Sequence, residues 1–179
     1  VIMGAGLIGC EFANDLAGAG YRVSVVDPAE RPLAALLPAQ AGEQLQGALA
    51  ELWGTWHFGC TVRAVDQKPD KSGPALRVSL SNEVQVLTDT VLSAIGLRAD
   101  TALAQTTGLA CERGIVVDTA LQTSDPHIYA LGDGAQYASA GGRTLPFVMP
   151  IMSAARALAA TLAGQRTELV FPLMPVTIK

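Results

Sequence analysis

Charge is scarce in this sequence: 16% of its 179 residues are Asp, Glu, Lys or Arg, while 50% are apolar, and the net charge is −4. The basic residues are scattered and form no run, so the charge pattern excludes the usual basis for binding nucleic acid or an anionic membrane. Cysteine is sparse as well. Cys10, Cys60 and Cys111 lie far apart with no CxxC or longer paired motif, which points to small buried thiols and a reducing, cytoplasmic setting. His57 and His127 have no acidic partners at metal-ligand spacing, so no metal site is expected. No basic flank followed by a cleavage site is present, and no secretory signal is expected. The longest apolar stretch, LPFVMPIMSAARALAATLAG, contains Pro146, Pro150 and Arg156, and reads as a buried helix rather than a membrane span.

What is present describes a well-buried α/β chain. Val1 to Gly4 reads as a strand, Leu7 to Ala19 as an alanine-rich helix, and YRVSVVD as a second strand closed by Asp27-Pro28. Apolar residues Ala41, Leu45, Ala48, Leu49 and Leu52 recur near the helical period between Pro38 and Trp53. A short strand at TWHF completes a β-α-β-α-β run, which implies a parallel sheet covered by helices. TVRAVDQ, ALRVSL and EVQVLTD then alternate between turn-forming residues, the pattern of an antiparallel meander, and TVLSAIG follows as a buried strand. Beyond Gly96 the sequence predicts a short helix near DTALAQTTG, strands at GIVVD and IYALGD, and a helix from about Met152 to Ala163. FPLMPVTIK reads as the start of another strand. A boundary is placed near Leu97.

The first strand runs into Gly4-x-Gly6-x-x-Gly9 and then a helix, the context in which a dinucleotide's diphosphate is held. Gly4 permits the tight turn, Gly6 lets a diphosphate approach the backbone, and Gly9 lets helix and strand pack closely. The first-turn amides, at Leu7 and Ile8, and the helix dipole face the phosphate charge. Asp27 ends the second strand, 18 residues after Gly9. Its carboxylate can accept hydrogen bonds from the adenosine ribose and would repel a 2′-phosphate, which favours NAD(H) over NADP(H). The plain alternative is that Asp27 only starts the turn before Pro28. Arg22 lies at the wrong end of that strand to meet a 2′-phosphate, and Arg31 is the one cation that follows Asp27 closely. Cys10 reads as a packed thiol, and Trp53 and Trp56 as core side chains.

TSDPHIYALGDGA adds a second signature. An apolar strand ending in Gly132-Asp133-Gly134 would present one carboxylate at its carboxyl edge, placed to bind the hydroxyls of a sugar or sugar alcohol. GAGLIGCEFA, Asp27, SAIGLRAD and TSDPHIYALGDGA occur in the order that resembles the FAD-dependent pyridine nucleotide-disulphide oxidoreductases. RPLAALLP, LPFVMPIMSAARALAATLAG and FPLMPVTIK make the chain similar to the branch of that family that reduces rubredoxin.

The resemblance implies a Rossmann-like NAD-binding domain over 1–96, with a parallel sheet and an antiparallel meander. Residues 97–179 would then be the second, partial segment of an FAD-binding domain, the chain being an internal piece of a longer enzyme. It further implies that Glu11 lies where nicotinamide meets flavin, the alternative being an exposed first-turn Glu favoured by the helix dipole. Ile95 and Gly96 would carry backbone past the nicotinamide half of NAD. Asp133 would bind the ribityl chain of FAD, unless it merely forms a turn. The Val148 backbone would contact the flavin pyrimidine from a helix N-terminus, and Lys179 would lie near the flavin. On this resemblance hydride would pass from NADH to FAD and single electrons on to rubredoxin or a similar small iron carrier, with no catalytic acid, base or nucleophile required. Reduction of a ferredoxin, of oxygen or of nitric oxide species stays open, as does a non-catalytic NAD(H)-binding module.

Overall fold

The computed structural model describes residues 1–50, 54–68 and 73–173. These group into two compact units, Val1–Gly96 and a second beginning at Leu97.

In the first unit, β1 (Ile2–Met3) turns at Gly4 into α1 (Leu7–Gly18). β2 (Ser24–Asp27), α2 (Ala39–Ala50) and β3 (Thr55–Phe58) follow. Next come β4 (Val62–Gln67), β5 (Leu76–Leu80) and β6 (Gln85–Thr88), and then β7 (Leu92–Ser93). β3, β2, β1 and β7 lie side by side in that order, all parallel, while β4, β5 and β6 form an antiparallel meander. Parallel neighbours need crossover connections, and α1, α2 and the meander provide them.

Side-chain alternation along β2 sorts the layers. Val25, opposite Ile2, is buried with Ala5, Cys10, Ala13, Val23 and Leu33 on the α1 face. Val26 enters a separate cluster with Cys60 and the meander residues Val78 and Leu80. α1 closes with Gly20 N donating to Ala17 O (2.9 Å) and Tyr21 N to Leu16 O (3.0 Å), a Schellman motif. Tyr21 is thus committed to the helix end, so the strand expected from Tyr21 begins only at Ser24.

The second unit holds α3 (Ala102–Thr106), β8 (Ile115–Val117), β9 (Ala135–Tyr137), β10 (Arg143–Thr144) and α4 (Val148–Leu162). β8 runs parallel to β9, and β10 antiparallel to it. Val117, Leu121, Ala135 and Tyr137 pack with Ala154 and Ala157 of α4, small residues that let the helix lie close.

Four expectations need correction. TVLSAIG is not a buried strand: β7 takes in only Leu92 and Ser93, half-buried and exposed, because it lies at the edge of its sheet. IYALGD forms no strand, because residues 128–130 fold back on 121–123 as a hairpin about Asp125-Pro126. Thr123 N donates to Ile128 O (2.9 Å) and Ala130 N to Leu121 O (3.1 Å), with one isolated bridge between Gln122 and Tyr129. α4 starts at Val148 rather than near Met152, because Pro150 occupies its first turn, where no amide donor is needed. Residues 171–173 form no strand, and the rest of that tail, Lys179 included, lies outside the described residues, as does Trp53.

Candidate functional site

The glycine turn sits at the carboxyl end of β1, between β2 and β7, where open parallel sheets bind ligands. Gly4 has φ +103°, and a Cβ there would lie 2.4 Å from the Ala94 carbonyl oxygen. A Cβ on Gly9 would lie 1.9 Å from the Gly4 carbonyl oxygen. Both positions therefore exclude a side chain because strand, helix and the β7 exit touch there. Gly6 differs. It is exposed, and a Cβ on it would meet nothing within 4 Å, so the turn leaves a bare, open surface at that residue. As N-cap of α1 it offers no side-chain cap. Among the described residues no hydrogen bond takes up the amides of Gly6, Leu7 and Ile8; the first helical bond is Cys10 N to Gly6 O, 2.9 Å. A row of donors without intrahelical partners at a helix start has the chemistry to face an anion.

Asp27 reaches this turn. Its Oδ2 accepts from Ala5 N (2.6 Å) and its Oδ1 from Ala29 N (2.7 Å). The second bond is the turn reading of Asp27, while the first ties the end of β2 to the glycine turn. Each carboxylate oxygen retains acceptor capacity beyond its one amide. Arg31 is half-buried with its Nε unpartnered among the described residues, and its Cδ packs where a Cβ on Gly42 would come within 2.8 Å. Arg22 is exposed just ahead of β2, at the opposite end of the sheet.

Glu11 is the fifth residue of α1, half-buried and beyond the first turn, and makes no hydrogen bond or ion pair among the described residues. It shares a helix face with Ile8, three residues earlier and 51% exposed. Ile95 (72% exposed) and Gly96 (φ +100°) continue from Ala94, whose amide bonds to Met3 O at 2.8 Å. One edge of the first unit thus gathers Gly4, Gly6, Leu7, Ile8, Gly9, Asp27, Ile95 and Gly96. Cys10 lies beneath it, 2% exposed, with Sγ against Ala5 O at 3.4 Å. Burial, reinforced by the Asp27 charge, pushes its thiol up to about 11, so it is a packing residue.

In the second unit, Asp133 is exposed and precedes β9, at the strand's amino end rather than the carboxyl end expected for it. β10 ends at Thr144, opposite Gln136, so the chain leaves β10 toward Val148 at the same end of the sheet. Val148 is the first residue of α4, 74% exposed, with no side-chain cap beside its amide. Two residues escaped the sequence reading. Ala5 contributes only a backbone amide, for which no residue type is diagnostic. Tyr137 bonds back to Gly132 from the core, and only its i+5 spacing from a glycine hinted at this.

His57 donates nothing to the site and accepts Cys60 Sγ on its carbonyl, while His127 is exposed. Among the described residues no group of His, Cys, Asp and Glu could hold a metal ion, and no helix is long and apolar enough to cross a membrane. Trp56 stacks on Phe58 at 4.8 Å. A cavity of about 370 Å³ opens at the amino ends of β1, β2 and β7, lined by Val1, Leu16, Arg22, Thr88 and Asp89, away from the glycine turn.

The chain is 50% identical over 178 residues to a rubredoxin-NAD(+) reductase of Alcanivorax borkumensis, covering 99% of this chain and 45% of that protein. It is 48% identical to a nitric oxide reductase FlRd-NAD(+) reductase of Aeromonas salmonicida, over 100% of this chain and 45% of the relative. The chain therefore spans under half the length of these curated relatives. A ferredoxin reductase from Rhodopseudomonas palustris superposes with a TM-score of 0.87 at 30% identity, over 94% of this chain and 42% of that one. The sequence pattern of one family matches residues 1–160, and the chain belongs to it: the pyridine nucleotide-disulphide oxidoreductases.

Proposed function

We propose that residues 1–96 bind NADH and residues 97–179 help hold FAD in a flavoprotein reductase that delivers electrons to rubredoxin or a similar small iron carrier. One observation carries the nucleotide part: the open backbone at Gly6, with the amides of Gly6, Leu7 and Ile8 unclaimed and Asp27 fixed beside them. These amides and the α1 dipole would offset a diphosphate's charge. Asp27 would take the adenosine ribose hydroxyls on its remaining acceptor sites and oppose a 2′-phosphate. Ile95 and Gly96 would run beside the nicotinamide half, with Glu11 orienting the ring.

The exposed Asp133 carboxylate and the uncapped amide of Val148 fit a flavin's ribityl hydroxyls and its electron-rich pyrimidine edge respectively. Bound FAD would supply the chemistry these side chains lack, taking a hydride and giving up electrons one at a time. The protein's part is alignment and charge compensation. Among the described residues no pair of cysteines is placed to relay electrons as a dithiol, and all three are free.

The identity to the rubredoxin-NAD(+) reductase supports rubredoxin as acceptor. A flavorubredoxin-type acceptor is a second reading, favoured by the 48% identity to a reductase of that name. Asp27→Asn, which removes the charge and gives up one of the two backbone amides the carboxylate accepts, should weaken NADH binding at least about tenfold. Unchanged affinity in a fluorescence titration would remove the ribose contact. Reduction rates of rubredoxin and flavorubredoxin by the full-length enzyme would decide between acceptors.

A further inference from the structure

We propose that Tyr137 is a positioning residue for the flavin site: its hydroxyl locks the Gly132 turn in the conformation that presents the Asp133 carboxylate. The inference rests on the flavin reading of Asp133 given above.

The Tyr137 side chain is fully buried in the core of the second unit, packed edge-on to Phe171 with ring centroids 5.3 Å apart. Its backbone is paired on both sides, to Val117 of β8 and Arg143 of β10. The ring has no freedom to swing. From this fixed point Oη accepts from Gly132 N (2.7 Å) and donates to Gly132 O (3.1 Å). A single hydroxyl thus holds both polar groups of one peptide residue.

Gly132 needs holding. Its φ is +91°, a region that L side chains rarely adopt, yet a Cβ there would meet nothing within 4 Å. Glycine is required by backbone angle alone, not by crowding. The free chain would leave such a residue to sample many conformations. Only Ala135 N, donating to Gly132 O at 3.1 Å, offers further restraint from within the turn. Asp133 follows at once, exposed and without a hydrogen bond among the described residues, so all its acceptor sites face outward. A core tyrosine has a simpler way to be satisfied, with one backbone carbonyl. Reciprocal engagement of a left-handed glycine next to the ligand-facing acid is the feature that assigns the role. Burial raises the Tyr137 hydroxyl's pKa; the Gly132 bond opposes this and the Asp133 charge adds to it, so the hydroxyl stays a donor at neutral pH.

The test is FAD affinity of the full-length protein, measured by flavin fluorescence on reconstituting the apoprotein, beside apoprotein thermal melting. Tyr137→Phe keeps the ring and should raise the FAD dissociation constant about tenfold. Asp133→Ala should weaken FAD at least as much, and adding Tyr137→Phe to it should cost no further affinity, since the residue to be positioned is gone. A Tyr137→Phe protein that melts lower but binds FAD normally, while Asp133→Ala binds poorly, would overturn the positioning role alone. Normal FAD binding by Asp133→Ala would overturn the flavin reading and this inference with it. Should Tyr137→Phe fail to fold, Gly132→Ala perturbs the same turn from the surface. A raised dissociation constant there supports the proposal, and an unchanged one rejects it.

Discussion

At the scale of single residues, the three glycines of the turn separate into two kinds. Gly9→Ala would drive a methyl group into the Gly4 carbonyl, and a loss of about 3 kcal/mol is expected in chemical denaturation. Gly6→Ala should fold normally, within about 0.5 kcal/mol, because φ −76° and ψ −173° suit any residue and the space is open. Its defect should appear instead as weaker NADH binding in a fluorescence titration. All three positions were legible in the sequence, since only backbone requirements explain glycine at that spacing between strand and helix. The Asp27–Ala5 bond was not, because a backbone amide leaves no mark on residue choice. Cys10 gives a prediction in pH. Its folded pKa lies above the ordinary 9.0, at about 11, so the buried neutral thiol contributes stability below pH 9 that is lost as pH rises toward 11. Cys10→Ala should flatten that part of the stability profile. Buried and held protonated near neutral pH, Cys10 should stay unlabelled in alkylation followed by peptide mapping while the half-buried Cys111 reacts.

At the scale of elements, α4 shows why boundaries were less legible than the elements themselves. The start expected near Met152 lies at Val148, since a proline in the first turn, here Pro150, gives up only an amide that has no intrahelical partner. The observed start puts Val148 at the first helical position, in keeping with the helix N-terminus expected for it. Phe147 is extended, φ −136° and ψ 149°, and so accepts a proline after it. Val148→Pro is therefore expected to leave the helix intact by circular dichroism while deleting the single amide assigned to the flavin. Weaker FAD binding in the full-length protein is the expected result. IYALGD failed for another reason. Apolar, β-prone residues announce a strand, but a ladder needs a long partner, and here residues 128–130 meet only residues 121–123 across the Asp125-Pro126 turn, with a single isolated bridge.

At the scale of the whole molecule, the two units carry different shares of the proposed chemistry. The proposed nucleotide contacts lie within Val1–Gly96, whereas Asp133 and Val148, proposed to meet the flavin, lie in the second unit. The purified chain should therefore bind NADH yet retain little FAD, read from its visible absorption with and without added flavin. Stoichiometric flavin would show that the second unit holds FAD unaided. The electron acceptor was not legible at this scale, since the glycine turn and Asp27, read as contacts to the diphosphate and adenosine ribose, are blind to what receives the electrons. One arrangement described above bears on attempts to re-engineer the coenzyme preference. The obvious swap, a cation in place of Asp27, would also cut the strap that holds the loop at Ala5. A switch to the phosphorylated coenzyme must supply a replacement brace along with the new charge, or the redesigned loop will lose its grip on either coenzyme.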